Sequence, residues 1–261
     1  MPPPVDTQIL LMKVERFLSM SLIKNSMKIA KQVVEEEKSK LESHIKFVSR
    51  YFSKDYIQAL LDGQVSAELG GETVEASILF MDLRNSTGIA EKITPQQFAR
   101  LISEIFTDVM DLIFATGGSV NKILGDGIMA TFGAPFPKEN DALNATQTAL
   151  KIRQYLSSYN EFRPEFLDEE IKAGIGIATG PVFAGNIGSV NRMEFSVMGD
   201  PVNLAARLES LTKYAGLDIL VDGNTRVKLA DKVRCKKVKF TKIRGKINEV
   251  KIYYPTKDNE V

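Results

Sequence analysis

The stretch Asn121–Gly133, NKILGDGIMATFG, places a Gly-Asp-Gly motif between two short apolar segments. Residues 119–124 and 128–132 each have the length of a strand, and the Gly-Asp-Gly break between them is typical of a β-hairpin turn. The pattern therefore predicts a hairpin with Asp126 at its tip, where its carboxylate can meet a second group or a ligand.

Hydrophobic periodicity around this hairpin predicts the order strand, helix, hairpin, helix, strand. Residues 74–81 are apolar on both alternating faces, which indicates a central strand covered on both sides. Amphipathic helices are expected at 95–113 and at about 140–159, and a half-buried strand at 171–177. This order is the ferredoxin-like βαββαβ pattern of an α+β fold, an α/β sandwich.

The C-terminal third extends this core. A glycine-rich loop is expected over 179–189, followed by a strand in RMEFSVMGD, residues 192–200. Asp200 is expected to cap a helix that runs from Pro201 to about Lys213. Short β-rich pieces then alternate with one short helix.

The N-terminal part reads as a helical arm. Apolar residues between Leu11 and Phe52 recur at steps of three and four, which predicts one or two helices with a single apolar stripe. The arm is either a parallel coiled coil or a helix laid over its own domain. We expect a helical or coiled-coil arm at 1–62, a linker at 63–73, a folded domain at 74–256 and a tail at 257–261.

Composition restricts the chemistry. With 34 Lys+Arg against 33 Asp+Glu the net charge is +1, so no global field recruits nucleic acid. The single histidine and the single cysteine exclude catalytic triads and zinc clusters, leaving carboxylates, Lys, Arg and metals. One cysteine and apolar runs far shorter than the ~20 residues that span a bilayer favour a cytoplasmic protein, at most at the cytoplasmic face of a membrane.

Two aspartates are expected to converge. Asp82 ends the first strand, which lies beside the hairpin in a βαββαβ sheet, so it should approach Asp126. Such a pair favours a hard cation between the carboxylates, most simply Mg²⁺, with phosphates as fellow ligands. Asn85, Ser86 and Thr87 follow at a helix start, a ready anion site. The alternative is that Asp82 and Asp126 are two unrelated acidic residues in turns.

Other polar residues are ambiguous when taken singly. Asn203 and Arg207 are four apart, hence on one helix face, where the arginine could brace a phosphoryl group. An Asn/Arg pair of this kind more often lies on a solvent-exposed face of a helix and binds nothing. Lys122 and Lys246 are equally compatible with plain hairpin and turn lysines.

In combination the motifs are specific. ILFMDLRNST, KILGDG and FSVMGDPVNLAARLE, in this order and spacing, resemble the class III nucleotidyl cyclase catalytic domain, most closely that of bacterial adenylate cyclases, over about residues 74–255. The resemblance implies that Asp82 and Asp126 hold two Mg²⁺ or Mn²⁺ ions, with the Leu83 carbonyl as a further ligand.

The same resemblance implies the substrate-binding residues. Asn203 orients the ribose, Arg207 braces the α-phosphate, and Lys246 grips the terminal phosphates. The family's purine positions are Lys122 and Ser196. Because lysine only donates, it suits the adenine N1 acceptor, and the serine hydroxyl can accept from the adenine N6 amine, so ATP is favoured.

The implied reaction is attack of the 3′-hydroxyl of ATP on its own α-phosphorus, with pyrophosphate leaving. Metal aspartates of one protomer face the purine and transition-state residues of the other in this family, which implies a homodimer with composite sites. The N-terminal arm would set protomer orientation and offers a surface to an upstream sensor domain or a membrane-associated partner. Alternatives are a guanylate cyclase, a catalytically silent dimerisation or regulatory module, and, more remotely, a polymerase-like palm.

Overall fold

A computed structural model describes residues 7–48, 54–63, 68–189, 191–238 and 250–256 of the chain. The chain divides into two compact units, Met1–Tyr51 and Phe52–Val261. The first unit contains one long helix, and the second contains the mixed sheet with its helices. The expected domain boundaries at 62 and 73 stay predictions, and the expected tail at 257–261 lies outside the described residues.

The helices and strands follow each other in the predicted order. In the described residues they are α1 (Thr7–Val48), α2 (Lys54–Leu61), β1 (Gly70–Leu83), α3 (Ser86–Lys92), α4 (Pro95–Ala115), β2 (Ser119–Leu124), β3 (Gly127–Phe132), α5 (Asp141–Glu161), β4 (Ala173–Ser189), β5 (Arg192–Met198), α6 (Asp200–Ala215), β6 (Ile219–Asp222), α7 (Gly223–Leu229), β7 (Cys235–Lys237) and β8 (Ile252–Pro255). The predicted α+β fold with a βαββαβ core, a C-terminal extension and an N-terminal helix is confirmed.

The sheet has β1 at its centre. Across the described strands the order is β2-β3-β1-β4-β6-β8-β7, and β5 pairs separately with β4. β1 is antiparallel to both of its neighbours, β3 and β4. β4 and β6 are parallel, as the connection through a helix requires. The end of β1 therefore lies between the start of β3 and the start of β4.

Two hydrophobic layers cover the faces of this sheet. On one face α4 and α5 bury Ile105, Ile113 and Ile152 against strand residues that include Leu79 and Met81. On the other face α6 buries side chains against the alternate residues of β1, β4 and β6. Because successive strand residues point to opposite faces, β1 supplies both layers. This explains the continuous apolar run that predicted a doubly covered strand.

The structure corrects the prediction of a loop over 179–189. β4 continues through this segment and pairs with β1 from Leu83 back to Gly70, so β1 also begins four residues before the predicted start. The glycines in this segment allow neighbouring strands to approach closely, and they do not form a turn. A Cβ on Gly185 would lie 2.9 Å from the carbonyl carbon of Gly70, which is closer than a side chain tolerates.

The prediction of a half-buried strand at 171–177 is also wrong, because both faces of β4 are buried there. The residues that alternate with the isoleucines are glycines, and α6 packs directly on them. A Cβ on Gly176 would overlap the backbone of Ala205 and Glu209 and lie 2.9 Å from the carbonyl carbon of Leu208. Sequence alternation indicates a polar face only when the alternate residues carry polar side chains.

Helix α6 starts one residue earlier than predicted. Gly199, with a φ of 153°, is the residue that precedes the first turn, so Asp200 lies in the helix instead of capping it. Pro201 stands in the first turn, as the sequence indicates. At the other end Gly216 adopts a left-handed conformation with a φ of 66° and terminates the helix.

Helix α1 is a single helix of 42 residues. Its side chains are exposed from Leu10 to His44, including the apolar positions Leu11, Val14 and Leu18. An N-terminal helix is therefore confirmed, whereas its pairing with a second copy stays a prediction. Phe52, the last residue of the predicted stripe, lies outside the described residues. No helix in the described ranges is long and apolar enough to cross a membrane.

The contact of α6 with β4 yields a first prediction. Gly176→Ala should lower the free energy of unfolding by about 2 kcal/mol, because the added methyl forces the α6 backbone away from the sheet. Gly223→Ala is the matched control, since the nearest atom to its Cβ lies 3.6 Å away, and it should change stability by less than about 0.5 kcal/mol. Urea denaturation measures both; equal stabilities would contradict the close contact.

Candidate active site

The two aspartates that the sequence singles out lie together at the end of β1. Asp82 pairs with Gly127 of β3 across the sheet, and the Leu83 amide donates a hydrogen bond to the Asp126 carbonyl at 3.2 Å. Burial, and next the negative charge of Asp126, raise the pKa of the Asp82 carboxyl above its ordinary value. The two carboxylates are therefore close enough to repel one another.

Glycines on both sides of Asp126 make room for this pair. Gly125 has a φ of +69°, the left-handed conformation that the hairpin turn requires. A Cβ on Gly127 would lie 2.8 Å from Oδ1 of Asp82, so a side chain there would displace the carboxylate. The Gly-Asp-Gly motif thus combines a turn residue with a residue that opens space for Asp82.

The three predicted anion-binding residues, Asn85, Ser86 and Thr87, have different surroundings. The Ser86 hydroxyl donates a hydrogen bond to Oδ2 of Asp126 and fixes that carboxylate. The Asn85 amide instead donates to Oε2 of Glu169 at 2.7 Å, and Asn85 itself is left-handed with a φ of 56°. Thr87 is exposed. Of the three, only Ser86 contacts the aspartate pair, and a role in anion binding stays a prediction for all of them.

The donor set at this point suits a hard divalent cation. Carboxylate oxygens, together with the backbone carbonyl of Leu83, are the ligands that Mg²⁺ and Mn²⁺ prefer. A cation would also stabilise the charged form of Asp82, whose pKa is raised by burial and next by the charge of Asp126. No group of three or more His, Cys, Asp or Glu side chains in the described ranges could hold a metal by itself. Two carboxylates leave coordination positions for water and phosphate oxygens.

A third acid near the pair was missed from the sequence. Burial, and next the charge of Asp82, raise the pKa of Glu209 on α6 to about 7, and the Asp126 charge adds to this shift. A Cβ on Gly174, the strand partner of Asp82, would lie 2.5 Å from Oε1 of Glu209. The absence of a side chain at Gly174 lets Glu209 approach. The only sequence signal was its place in VNLAARLE, two residues after Arg207.

The positive charge of Arg84 partly offsets the effect of burial and of the neighbouring aspartates on Glu209. Arg84 follows Leu83, its charge lowers the pKa of Glu209, and its guanidinium donates to the Leu217 carbonyl at 2.7 Å. Its amide donates to the Lys172 carbonyl at 2.8 Å, which fastens the turn after β1 to the start of β4. The turn that carries Leu83 is thereby held at a fixed position.

The two purine-position residues lie on neighbouring hairpins. Lys122 on β2 places its Nζ 3.3 Å from Oε1 of Glu194 on β5. Ser196 is buried two residues further along β5 and pairs with Gly185. Strands β2 and β5 contact each other, so the fold brings Lys122 and Ser196 to one region. Glu194 was not singled out from the sequence, although its spacing of two from Ser196 puts both on one face of the strand.

The remaining predicted site residues are Asn203 and Arg207 on α6 and Lys246 later in the chain. Asn203 is exposed and Arg207 is half-buried, and neither side chain forms a hydrogen bond or ion pair with other described residues. Both point away from the buried stripe of Pro201, Leu204 and Leu208. Lys246 lies outside the described residues.

The predicted site residues of one chain can be described as two sets. The first set is Asp82, Asp126, Leu83 and Ser86 at the end of β1. The second set is Asn203 and Arg207 on the outer face of α6, with Lys122 and Ser196 on β2 and β5. In the described part of the chain no hydrogen bond or ion pair joins the two sets.

Comparisons with known proteins agree on one family. A family model described as "Adenylate and Guanylate cyclase catalytic domain" matches residues 71–256. Adenylate cyclase 1 of Rhizobium meliloti is 28% identical over 194 residues, which are 73% of this chain and 29% of that protein. The chain thus spans less than a third of the length of the curated relatives it matches.

Solved structures show the same similarity. The crystal structure of the adenylyl cyclase CyaB from P. aeruginosa superposes with a TM-score of 0.68 and 25% identity, covering 72% of this chain and 97% of that one. The crystal structure of the guanylyl cyclase Cya2 gives a TM-score of 0.64 and 31% identity, covering 72% and 94%. The similar solved structures thus include one described as an adenylyl cyclase and one described as a guanylyl cyclase.

The repulsion between the aspartates yields a second prediction. Because the folded-state pKa of Asp82 is raised above its ordinary value of 3.8, its charge destabilises the fold at every pH above the folded-state value. Asp82→Asn should therefore raise the free energy of unfolding at pH 8 without divalent ions by about 1 kcal/mol, a figure reduced for partial solvent contact. The gain should vanish as the pH falls and Asp82 takes up a proton.

The control for this prediction is Asp111→Asn, which changes an exposed carboxylate on α4. It should leave stability within about 0.5 kcal/mol. Adding Mn²⁺ should raise the melting temperature of the parent protein and leave that of Asp82→Asn unchanged. A variant less stable than the parent in metal-free buffer would show that Asp82 is held by favourable contacts.

Proposed function

Because the chain belongs to the class III adenylate and guanylate cyclase catalytic domain family, we propose that it is an adenylate cyclase that converts ATP to 3′,5′-cyclic AMP and pyrophosphate. The observation that carries the proposal is the convergence of Asp82 and Asp126 at the end of β1, beside Gly127. The product places the protein in cyclic nucleotide signalling.

Two Mg²⁺ or Mn²⁺ ions would be held by Asp82, Asp126 and the Leu83 carbonyl. The donor chemistry and the raised pKa of Asp82 support this assignment. When bound, such ions neutralise the triphosphate and lower the pKa of the attacking hydroxyl. Ser86 keeps the Asp126 carboxylate oriented through its hydrogen bond. The Asn85, Ser86 and Thr87 segment borders the polyphosphate.

The reaction needs no protein nucleophile. The 3′-oxygen of ATP forms a bond to its own α-phosphorus, the bond from the α-phosphorus to the bridging oxygen breaks, and the hydroxyl proton passes to solvent as pyrophosphate leaves. Asn203 orients the ribose, and Lys246 grips the terminal phosphates. Arg207 donates to the α-phosphate as charge develops there, so its loss should lower kcat more than it raises KM.

Adenine is selected by hydrogen bonding to Lys122 and Ser196. The lysine donates to adenine N1, an atom that carries a proton in guanine, and the serine hydroxyl accepts from the N6 amine. Glu194 adds a feature of this chain, since it lies 3.3 Å from the Lys122 ammonium and holds it in place. A guanylate cyclase is the second candidate, which the similarity to Cya2 favours.

The active unit is a homodimer with two composite sites. The outward direction of Asn203 and Arg207, away from the buried side of α6, supports this arrangement, because the aspartates of one copy would meet Arg207 and Asn203 of the other. Helix α1 sets the orientation of the two copies by pairing its exposed apolar positions, such as Leu11, Val14 and Leu18. It also links the domain at 74–256 to an upstream sensor or membrane-associated partner, with the domain in the cytoplasm.

A catalytically silent dimerisation module is the alternative of another class. It would keep the fold without selection for both aspartates and the arginine. In this chain Asp82, Asp126, Asn203 and Arg207 are all present, and the first two are placed together by the fold. The silent module is therefore the weaker candidate.

Mixing two inactive variants tests catalysis and the composite site together. Asp82→Ala and Arg207→Ala chains should each be inactive alone, because each lacks one half of every site. Mixed in equal amounts and allowed to exchange, half of the dimers are mixed, and each mixed dimer has one intact site. Cyclic AMP synthesis should recover to about one quarter of the parent activity.

The control mixture pairs Asp82→Ala with a chain that carries both substitutions. It contains no intact aspartate set, so it should stay silent. Recovery in the control would point to contaminating activity, and silence of the test mixture despite proven subunit exchange would contradict the composite dimer.

Purine choice gives a separate prediction. The parent protein should use ATP in preference to GTP, as judged by kcat/KM. The double substitution Lys122→Glu and Ser196→Cys should lower the ATP-to-GTP ratio of kcat/KM by roughly tenfold or more, because glutamate accepts from the protonated N1 of guanine. Ser210→Cys, an exposed serine on α6, is the control. A parent preference for GTP would make the second candidate correct.

A further inference from the structure

Glu169 lies in the α5–β4 connection, residues 162–172, and contacts both ends of α3. Its Oε2 accepts a hydrogen bond from the Asn85 side-chain amide at 2.7 Å, and its Oε1 accepts from the Lys92 ammonium. Asn85 immediately precedes α3, and Lys92 is the last residue of that helix. One carboxylate therefore joins the start and the end of α3 to the α5–β4 connection.

Asn85 has a backbone conformation that is uncommon for a residue with a side chain. Its φ is 56° and its ψ is 24°, which is the left-handed region. Glycine adopts this region freely, whereas a Cβ makes it costly, and the cost is smallest for Asn and Asp. The Asn85 side chain does not accept from an amide of the helix that follows. Its amide donates to Glu169 instead, so this contact supports the left-handed conformation.

The Asn85 side chain is confined on another side by Gly88. A Cβ on Gly88 would lie 2.6 Å from Oδ1 and 3.0 Å from Nδ2 of Asn85. The side chain therefore packs against the α3 backbone while its Nδ2 donates to Glu169. Because the amide group is restrained by both contacts, the backbone at Asn85 is restrained as well.

The α5–β4 connection is itself fixed on both sides of Glu169. The Asn160 amide donates to the Ile171 carbonyl at 2.9 Å, and its oxygen accepts from the Ile171 amide at 2.8 Å. Arg163 donates to the Asn160 carbonyl at 3.0 Å and to the Leu167 carbonyl at 3.1 Å. Leu167 and Ile171 are buried in the core. Glu169 therefore extends from a firmly held segment.

The partners of Glu169 keep its carboxyl group charged. Hydrogen bonds from Lys92 and next from Asn85 lower the pKa of Glu169 below its ordinary value. A charged carboxylate accepts hydrogen bonds through both oxygens, so it can accept from Asn85 and Lys92 together. The bridge is therefore complete at neutral pH.

The restrained turn leads directly to the aspartate pair. The residue after Asn85 is Ser86, whose hydroxyl donates to Oδ2 of Asp126. The residue before it is Arg84, whose amide donates to the Lys172 carbonyl at 2.8 Å. The φ and ψ of Asn85 set the direction in which the chain enters Ser86. A change to the right-handed region would therefore move the Ser86 hydroxyl away from Asp126.

We propose that Glu169 is a positioning residue for the aspartate pair. It keeps Asn85 in the left-handed conformation, Asn85 keeps Ser86 against Asp126, and the Asp126 carboxylate is thereby held in place for a divalent cation. Both oxygens of Glu169 are occupied by Asn85 and Lys92, so it acts through the turn and not as a ligand. The cation-binding step rests on the proposed function, whereas the control of the turn does not.

Titration calorimetry of the full chain with Mn²⁺, without nucleotide, tests this role. Glu169→Ala should raise the dissociation constant about fivefold, the effect of losing one exposed hydrogen bond to a charged group. Glu170→Ala is the matched control, because it removes the neighbouring carboxylate, which pairs with Lys172 at 3.0 Å. It should change the dissociation constant by less than about twofold, since exposed charges are screened.

A second pair of variants separates positioning from charge. Glycine adopts the left-handed conformation without a side-chain contact, so in an Asn85→Gly background the substitution Glu169→Ala should change the Mn²⁺ dissociation constant by less than about twofold. An equal loss of affinity in both backgrounds would show that Glu169 acts through its charge and would overturn the proposal. Equal affinities of the parent, Glu169→Ala and Glu170→Ala would overturn it as well.

Backbone coupling constants measured by NMR without metal give a readout that does not depend on the proposed function. Asn85 should remain left-handed in the parent and in Glu170→Ala, and should populate the right-handed region in Glu169→Ala. An unchanged Asn85 conformation in Glu169→Ala would contradict the proposal. If the parent shows no Mn²⁺ binding that Asp82→Ala removes, the proposed metal site is wrong, and the coupling constants still decide whether Glu169 controls the turn.

Discussion

The pairing of β1 with β3 is the constraint on which the site depends. Backbone hydrogen bonds set Asp82 opposite Gly127, and the adjacent hairpin tip then carries Asp126 into the same space. Two like charges would separate if side-chain freedom alone decided their positions. The sheet prevents this, and burial, followed by the charge of Asp126, raises the pKa of Asp82. A cation bound between the two carboxylates would turn the repulsion into a favourable interaction.

Glycines determine how closely the other elements approach this pair. Gly127 leaves space for the Asp82 carboxylate, Gly174 admits Glu209, and Gly176 lets the α6 backbone rest on β4. The helix that carries Asn203 and Arg207 is therefore held at a fixed height above the strand beside Asp82. Since α6 buries its other face, these two polar side chains are directed away from the sheet. The proposed composite dimer uses this direction, because the aspartates of a second copy could approach that outer face.

Strand β4 contributes residues to both faces of the sheet. Strand β4 contributes Gly174 to the α6 side and Ala173 and Ile175 to the α5 side.

The sequence by itself determined the order of elements, the βαββαβ core and the family, because hydrophobic periodicity and local turn motifs are properties of neighbouring residues. It also indicated Asp82, which stands near the end of a strand, and Asp126, which stands at a hairpin tip. It failed where glycine has a tertiary purpose: Gly176 and Gly185 were taken as signs of a half-buried strand and a loop, whereas packing of α6 and close contact with Gly70 require them. The approach of Glu209 to Asp82 and the pairing of Lys122 with Glu194 were decided only by the tertiary structure. Each depends on distances between residues far apart in the chain, and no local pattern encodes such distances.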